Sequence, residues 1–169
     1  MVEIGSGTGL TLPHYLHADR VAAIEPDEGM ASRIPPKAGE SPAAVEVFDA
    51  EAEALPFADE SFDEAVTIFV LCSVRDQPAA LGEIRRVLRP GGTLNVLEHV
   101  RGHGRVARWQ DRLNPLQRKV FGNCHLNRDT RTAIAAAGFD VTGVDDTPIP
   151  GSSPLVRAGI YGRAIKTSS

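Results

Sequence analysis

Short apolar segments of strand length alternate along this chain with segments that carry apolar residues at helical spacing. The pattern predicts seven strands, over Val2–Ile4, Arg20–Glu25, Ala44–Phe48, Phe62–Val70, Thr93–His99, Phe139–Val144 and Ile160–Ile165. The fourth segment is almost continuously apolar, as expected of a strand buried on both faces. Strands that alternate with helices are typical of an α/β domain in which helices cover both faces of a parallel sheet.

Helix signals lie between these strands. Helices are predicted over Leu10–Leu16, from Asp27 toward Arg33, from the N-cap Asp76 to Pro90-Gly91-Gly92, over Val106–Phe121, and from the N-cap Asn127 to Ala137. An interior proline lacks an N–H and clashes with the preceding turn, so Pro35-Pro36 should stop the second helix and Pro115 should break or kink the fourth. The segments Lys37–Pro42 and Pro148–Pro154 are predicted loops.

Three glycines follow the first strand at a spacing of two residues: Gly5, Gly7 and Gly9. Glycine is needed where the backbone takes a positive φ, or where a ligand must contact the main chain without a Cβ in the way. The start of the next helix directs unpaired N–H groups and a partial positive charge into the same space. This turn is therefore suited to the carboxylate, ribose or phosphates of a nucleotide-like ligand, although its spacing differs from the G-x-G-x-x-G dinucleotide fingerprint.

Two acidic residues flank this turn in the predicted fold. Glu25 closes the apolar run of the second strand about 20 residues after the glycines, where a ribose-binding carboxylate is expected. The alternative for Glu25 is a solvated acid at a strand end. Glu3 immediately precedes the glycines and could hold their N–H groups or meet a ligand ammonium.

Three ordered motifs carry a family resemblance. Glu3–Gly9 resembles the first motif of class I S-adenosylmethionine-dependent methyltransferases, Ala52–Phe57 with Ser61–Asp63 resembles the second block of the type-11 methyltransferase domain, and Arg86–Gly92 resembles its later helix-to-strand block. The match is clear from residue 1 to about residue 100 and looser beyond. It implies a Rossmann-like, doubly wound, mostly parallel seven-stranded sheet with an antiparallel last strand, and S-adenosyl-L-methionine as the cofactor.

The resemblance also implies cofactor-binding residues. Those expected around the methionine part are Glu3, Gly5, Ser6, Gly7 and Gly9. Glu25 and Pro26 are expected at the ribose, Glu51 and Ala52 at the adenine edge with Asp49 competing for that role, and Ile68 and Phe69 along the other side of the cofactor. Ile68 and Phe69 also have the ordinary interpretation of core residues.

A second set of segments resembles a narrower group. Val70–Val74, Glu98–Val100, Gly122–Leu126 and Ile160–Gly162 are similar to the methyltransferase-like proteins that include animal alkyl-thiol methyltransferases. This similarity implies a small, rather apolar methyl acceptor, with thiol, amine and hydroxyl all open. Members of that group carry an N-terminal membrane anchor, and Met1 falls inside the first strand here. The expectation is a chain truncated at its N-terminus relative to the family, lacking the cap helices.

His99 ends the fifth strand and is the candidate general base, because an imidazole titrates near neutral pH and can take a proton from a thiol, amine or hydroxyl. A histidine satisfied by a neighbouring backbone group is an equally good interpretation. Cys72 has no partner in the sequence that would activate it as a nucleophile, so a packing role is predicted. The spacing of Cys72 and Cys124 predicts neither a metal site nor a disulfide framework.

Composition excludes several classes of protein. The net charge is −4 and no long basic run is present, which argues against a nucleic-acid partner. The longest apolar run, Ala65–Cys72, is far shorter than a membrane span. With no signal peptide, a single cytoplasmic domain over residues 1–169 is expected. Its expected partner is a small-molecule substrate, and a homodimer is compatible with this interpretation.

The sequence leaves open two functions other than methyl transfer. A nicotinamide-dependent oxidoreductase shares the strand, turn and acid, but it predicts a different glycine spacing and usually a Tyr/Lys catalytic pair that is not visible here. A truncated, non-catalytic module that folds, dimerises and binds the cofactor weakly or not at all is the other alternative.

Overall fold

Seven strands build one mixed sheet in the computed structural model, which describes residues 1–167. The strands are β1 (Val2–Ile4), β2 (Arg20–Ile24), β3 (Ala44–Phe48), β4 (Phe62–Ile68), β5 (Leu88–His99), β6 (Phe139–Pro148) and β7 (Ala158–Lys166). They lie in the order β3-β2-β1-β4-β5-β7-β6. The pairings among β1 to β5 are parallel, and β7 runs antiparallel to both β5 and β6. The predicted doubly wound sheet is therefore confirmed; of the predicted domain 1–169, the last two residues lie outside the described part.

The connections between strands carry a short 3-10 helix and five α-helices. The 3-10 helix is Leu12–His14, and the α-helices are α1 (Glu28–Ala31), α2 (Ile34–Glu40), α3 (Gln77–Val87), α4 (Gly104–Val120) and α5 (Thr130–Ala136). The helix predicted over Leu10–Leu16 is thus reduced to a single tight turn. In the described residues, no helix is both long and apolar enough to cross a membrane.

The prolines near residue 35 begin a helix instead of ending one. Pro35 and Pro36 occupy the first turn of α2, where the N–H that proline lacks would have no intrahelical partner. The loop predicted over Lys37–Pro42 is consequently wrong, because α2 continues to Glu40. α1 is a separate helix that ends at Ala31.

Further boundaries differ from the prediction in the second half of the chain. Pro115 lies inside α4, so the predicted break is absent and the helix continues with one backbone hydrogen bond fewer. Asp129, not Asn127, caps α5, since its carboxylate accepts from the N–H of Thr132. The Asp76 cap of α3 is confirmed, with its carboxylate accepting from the N–H of Ala79.

The fold brings the carboxyl ends of the five parallel strands β1 to β5 together at one edge of the sheet. β1 lies between β2 and β4, so the chain leaves β1 at the point where the strand order reverses. Ligands bind in the crevice at such a switch point in open α/β sheets. Fully buried residues on β1 and α3, among them Val2, Leu81 and Ile84, hold the sheet and the helix in a common core beneath this edge.

Candidate functional site

The turn after β1 uses its three glycines in two ways. All three have positive φ, at +66° for Gly5, +57° for Gly7 and +79° for Gly9. A Cβ on Gly5 would lie 2.5 Å from a methyl carbon of Val70, and one on Gly9 would lie 3.0 Å from Leu12 Cδ1. A Cβ on Gly7 would meet nothing within 4 Å. Gly5 and Gly9 are therefore needed for packing, whereas Gly7 presents bare main chain to open space.

Glu25 is tied to this turn. Its carboxylate is buried, with 6% of the residue exposed. Its Oε2 accepts from the N–H of Gly7 at 2.7 Å and its Oε1 accepts from the N–H of Asp27 at 3.0 Å. Each carboxylate oxygen can accept a second donor, so both retain capacity for ribose hydroxyls. Glu25 is not the solvated strand-end acid of the alternative interpretation; Pro26 beside it is exposed.

Glu3 binds two hydroxyl groups of the segment that follows the glycine turn. It is 2% exposed, and its Oε1 accepts from the hydroxyls of Thr11 and Tyr15, the latter at 2.7 Å. Burial, together with the negative charge of Glu3, raises the pKa of Tyr15 well above its ordinary range. Glu3 Oε2 is buried and has no hydrogen-bond partner in the described chain. An unpaired buried carboxylate oxygen suits a ligand ammonium, which is a point in favour of an amino-acid-bearing cofactor.

Thr11 and Tyr15 were not singled out from the sequence. Both lie within the predicted helix Leu10–Leu16, and no residue pattern there indicates that two hydroxyls converge on Glu3. Ser6, which was predicted, is buried and donates its N–H to the carbonyl of Ile24 at 2.9 Å. This hydrogen bond joins the glycine turn to the end of β2.

The residues predicted at the adenine edge follow β3. The N–H of Glu25 donates to the carbonyl of Phe48 at 3.1 Å, so the segment that starts at Asp49 begins beside Glu25. Ala52 is buried, whereas Glu51 is exposed and forms an ion pair with Arg75 at 3.1 Å. Asp49 is exposed as well. The choice between Glu51 and Asp49 as the adenine acceptor stays a prediction.

β4 ends at Ile68, two residues earlier than predicted. The next residue, Phe69, has φ of +56°, which a bulky side chain rarely adopts, so the extended strand cannot continue through it. Phe69 is 41% exposed, and its N–H donates to the carbonyl of Leu97 at 2.9 Å. Strained residues of this kind cluster at ligand sites. Ile68 is only partly buried, and its role in lining the cofactor stays a prediction.

Glu98 fixes the turn that follows Phe69. It is fully buried, and its carboxylate accepts from the N–H groups of Val70 at 2.8 Å, Leu71 at 2.9 Å and Cys72 at 3.4 Å. Burial raises the pKa of Glu98 to about 7, opposed by the N–H groups of Leu71 and Val70. No local pattern in the sequence indicates this role of Glu98, because its partners follow a different strand, β4.

His99 lies in a cluster with both cysteines. Its Nε2 is 3.1 Å from Cys124 Sγ, and the ligand atoms of Cys72, His99 and Cys124 all lie within 4.8 Å of one another. Cys72 and His99 are buried, and Cys124 is partly exposed. His99 Nδ1 is buried without a partner among the described residues, so the interpretation of a backbone-satisfied histidine finds no support.

The two thiols of this cluster are not equivalent. Hydrogen bonding from Cys72, and next from His99, lowers the pKa of Cys124, while the same contact with Cys124, together with burial, raises the pKa of Cys72. Cys72 is thus a buried residue, as predicted for packing, and also part of a polar cluster. The spacing of the three residues gave no sign of it because each comes from a different segment of the chain.

Known proteins with similar sequences and folds identify the family of this chain. The profile of the family described as "Methyltransferase domain" matches residues 2–96. Thiol S-methyltransferase TMT1A of Homo sapiens is 34% identical over 98% of this chain and 70% of the relative, and thiol S-methyltransferase TMT1B of Rattus norvegicus is 30% identical with the same coverage. A solved S-adenosylmethionine-dependent methyltransferase of Thermotoga maritima, described as a possible histamine N-methyltransferase, has a TM-score of 0.73 and 27% identity over 98% of this chain and 81% of its own.

A further solved structure is similar in fold alone. A putative methyltransferase of Bacillus halodurans has a TM-score of 0.80 at 14% identity, and the match covers 99% of this chain and 92% of that one. The core sheet is therefore shared by proteins whose sequences have diverged widely.

Proposed function

Because this chain belongs to the methyltransferase-domain family and is an S-adenosyl-L-methionine-dependent enzyme, we propose that it methylates the sulfur of a small, apolar thiol. Thiol, amine and hydroxyl acceptors are all compatible with the fold. Similarity to two thiol S-methyltransferases over 98% of the chain favours sulfur. An oxidoreductase, which the glycine turn left open, has no support in the family membership.

We propose the cofactor site from three features of the glycine turn and of the strand ends that flank it. Bare main chain at Gly7, the buried carboxylate of Glu25 and the unpaired Oε2 of Glu3 suit, respectively, close ligand approach, ribose hydroxyls and an ammonium group. When bound, S-adenosyl-L-methionine supplies an electrophilic methyl group on a sulfonium sulfur. Ala52, Ile68 and Phe69 are proposed to line the remainder of the cofactor.

The position of His99 is the main observation that supports the proposed binding site of the methyl acceptor. His99 ends β5 at the carboxyl edge of the sheet, one strand away from β4 and two from the glycine turn. Val70 bridges the two regions, because its side chain fills the space above Gly5 while its N–H is held by Glu98. We propose that an acceptor sulfur enters beside Phe69, whose exposed ring offers an apolar surface to an alkyl group.

The chain's residues have two tasks in this reaction. They must place the acceptor sulfur in line with the methyl group, and such placement can contribute about 7–11 kcal/mol to the rate. They must also leave the sulfur unprotonated, because a thiolate is the nucleophile and a free thiol has a pKa of about 8.5. His99 is the residue proposed to activate the sulfur. Other side chains of the crevice need only orient the acceptor and exclude water.

The cellular setting is part of the proposal. A reducing cytoplasm would keep Cys72 and Cys124, which form no disulfide in the structure, in their thiol state. The proposed partner is a small molecule, since the net charge of −4 gives no attraction for nucleic acid. A homodimer remains compatible with these features.

The proposal is tested by offering matched acceptors. The protein is incubated with methyl-labelled S-adenosyl-L-methionine and, in parallel, with hexanethiol, hexylamine and hexanol, and products are identified by mass spectrometry. We expect a methyl thioether from the thiol alone. Methylation of the amine or alcohol at a comparable rate would contradict a thiol-specific site.

The role of His99 is tested in the same assay. We expect His99→Ala to lower the turnover of hexanethiol by about 10²–10⁴-fold. His103→Ala removes an exposed histidine four residues away and should leave turnover unchanged. Rates for His99→Ala equal to the wild type across pH would remove His99 from the mechanism.

A further inference from the structure

Three side chains with metal-ligating atoms converge at the acceptor end of the crevice. The ligand atoms of Cys72, His99 and Cys124 all lie within 4.8 Å of one another, and His99 Nε2 is 3.1 Å from Cys124 Sγ. Ligand atoms of a tetrahedral zinc site, at about 2.3 Å for Zn–S and about 2.0 Å for Zn–N, are separated by about 3.5–3.8 Å. The observed cluster needs only small side-chain adjustments to reach that geometry.

The composition of the cluster favours zinc. Two thiolates, which are soft ligands, and one imidazole are donors that suit Zn²⁺. They do not suit Mg²⁺ or Ca²⁺, which prefer oxygen ligands. Zinc sites with three protein ligands keep a fourth position open for water or substrate, whereas structural sites use four protein ligands. Within the described residues, only these three side chains form such a group.

The surroundings hold the ligands in place. Glu98 accepts from the N–H of Cys72, and the N–H of His125 donates to the carbonyl of Cys72 at 2.8 Å. The first contact anchors the turn after β4, and the second joins this turn to the segment that carries Cys124. These hydrogen bonds fix the main chain of Cys72 and of the segment that carries Cys124. Cys124 is the partly exposed member of the cluster.

We infer that Cys72, His99 and Cys124 bind one Zn²⁺, and that the acceptor sulfur occupies its fourth coordination position as a thiolate. This inference rests on the proposed function and refines the role of His99. As a zinc ligand, His99 activates the acceptor through the metal and does not take its proton.

The chemistry of the step balances without a further reagent. Zinc binding replaces any protons on the two cysteine sulfurs, and these protons pass to solvent. The acceptor thiol loses its proton to solvent when its sulfur binds the metal. A carbon–sulfur bond then forms to the methyl group while the methyl–sulfonium bond breaks, which gives a methyl thioether and S-adenosylhomocysteine.

The metal site is tested by cobalt substitution, which has an optical signature independent of turnover. Purified, chelator-treated protein is titrated with Co²⁺. We expect one Co²⁺ per chain, with a sulfur-to-cobalt charge-transfer band in the near ultraviolet and the intense visible bands of tetrahedral cobalt. Cys72→Ser and Cys124→Ser should each weaken the charge-transfer band, whereas His103→Ala should retain it. Absence of the band from the wild type, or its persistence in the double serine variant, would overturn the inference.

The fourth ligand is tested by adding hexanethiol to the cobalt protein. Binding of the acceptor sulfur should intensify the charge-transfer band and shift the visible bands, and hexanol should do neither. A spectrum that does not respond to the thiol would overturn the assignment of the fourth position. Far-ultraviolet circular dichroism of each variant confirms that the fold is retained.

Turnover separates this inference from the function on which it rests. Chelator-treated wild type should lose at least tenfold in thioether formation and recover on addition of Zn²⁺. Full activity of the metal-free protein would overturn the zinc site and leave thiol methylation standing. A zinc-loaded protein that forms no thioether would instead overturn the proposed function.

Discussion

The carboxylate of Glu25 accepts a hydrogen bond from the main chain of Gly7, with 2.7 Å between Gly7 N and Glu25 Oε2. This contact joins the end of β2 to the turn after β1. It holds a buried negative charge beside the one glycine of the turn that faces open space. Two strand ends are thereby fixed relative to each other at the edge of the sheet where the cofactor is proposed to bind.

We predict that Glu25→Gln weakens the binding of S-adenosyl-L-methionine. Both carboxylate oxygens accept from backbone N–H groups, so an amide would turn its own NH₂ toward the N–H of Gly7 or Asp27. Hydrogen bonds to charged groups contribute about 1.5–3 kcal/mol, which corresponds to a loss of affinity of about tenfold or more. Isothermal titration calorimetry measures the change.

Glu46→Gln serves as the matched control for this substitution. Glu46 lies on the neighbouring strand β3 and is exposed, so its replacement alters the net charge equally without touching the turn. Equal affinities for the two variants would show that Glu25 does not contact the ligand.

A second prediction concerns the packing of α3 against the loop before β4. The Glu83 carboxylate pairs with the guanidinium of Arg86 at 2.7 Å and accepts from the N–H of Leu55 at 2.9 Å. Both groups retain partial contact with solvent, so we expect Glu83→Gln to lower the free energy of unfolding by about 1 kcal/mol at neutral pH. Urea denaturation of the variant and of Glu46→Gln measures the difference.

The same carboxylate predicts a pH dependence of stability. The hydrogen bond from Arg86, followed by that from Leu55, lowers the pKa of Glu83 from its ordinary 4.5. A carboxyl whose pKa is lower in the folded state stabilises the fold above its ordinary pKa, and this contribution disappears as the pH falls through the lowered value. The gap between wild type and Glu83→Gln should therefore narrow below pH 4.5. A constant gap down to strongly acidic pH would contradict the assignment.

A third prediction concerns the hydroxyl that supports Glu3. Burial and the Glu3 carboxylate raise the pKa of Tyr15 far above its ordinary value of 10.0. In the Tyr161→Phe variant Tyr15 is the sole tyrosine, since the chain has two. Its phenolate absorbance should stay absent at pH 10–11 and emerge only with alkaline unfolding, monitored in parallel by circular dichroism. Ionisation near pH 10 in the folded protein would contradict the buried Glu3–Tyr15 contact.

Local chemistry explains which features could be predicted from the sequence. The glycine turn and Glu25 follow apolar strands at fixed offsets, so their positions follow from the order of the elements. Phe69 could not be recognised as the end of β4, because its backbone conformation is imposed by the structure around it. A phenylalanine in an apolar run otherwise favours a strand.

Most features that could not be predicted from the sequence depend on contacts between residues far apart in the chain. Cys72, His99 and Cys124 come from three separate segments, and only the packing of the segment after α4 against the turn after β4 brings them together. The prolines of α2 were misassigned for a different reason. Pro35 is compatible both with the end of one helix and with the start of the next, and the sequence contains no local signal that selects between them.

Gly7 offers the sharpest test of the cofactor site. Its φ of +57° and the empty space beside it are matched by Gly91, with φ of +75° and no atom within 4 Å of an added Cβ. Gly91 lies near the amino end of β5, at the opposite edge of the sheet. Valine at either position introduces comparable backbone strain, but only at Gly7 would the side chain enter the proposed ligand space.

The most direct measurement is calorimetric titration of the wild type, Gly7→Val and Gly91→Val with S-adenosyl-L-methionine, S-adenosylhomocysteine and NAD. We predict micromolar binding of the two sulfur nucleosides, no binding of NAD, and loss of binding in Gly7→Val alone. Wild-type affinity in Gly7→Val, or a wild type that prefers NAD, would contradict a cofactor site built on the glycine turn and Glu25.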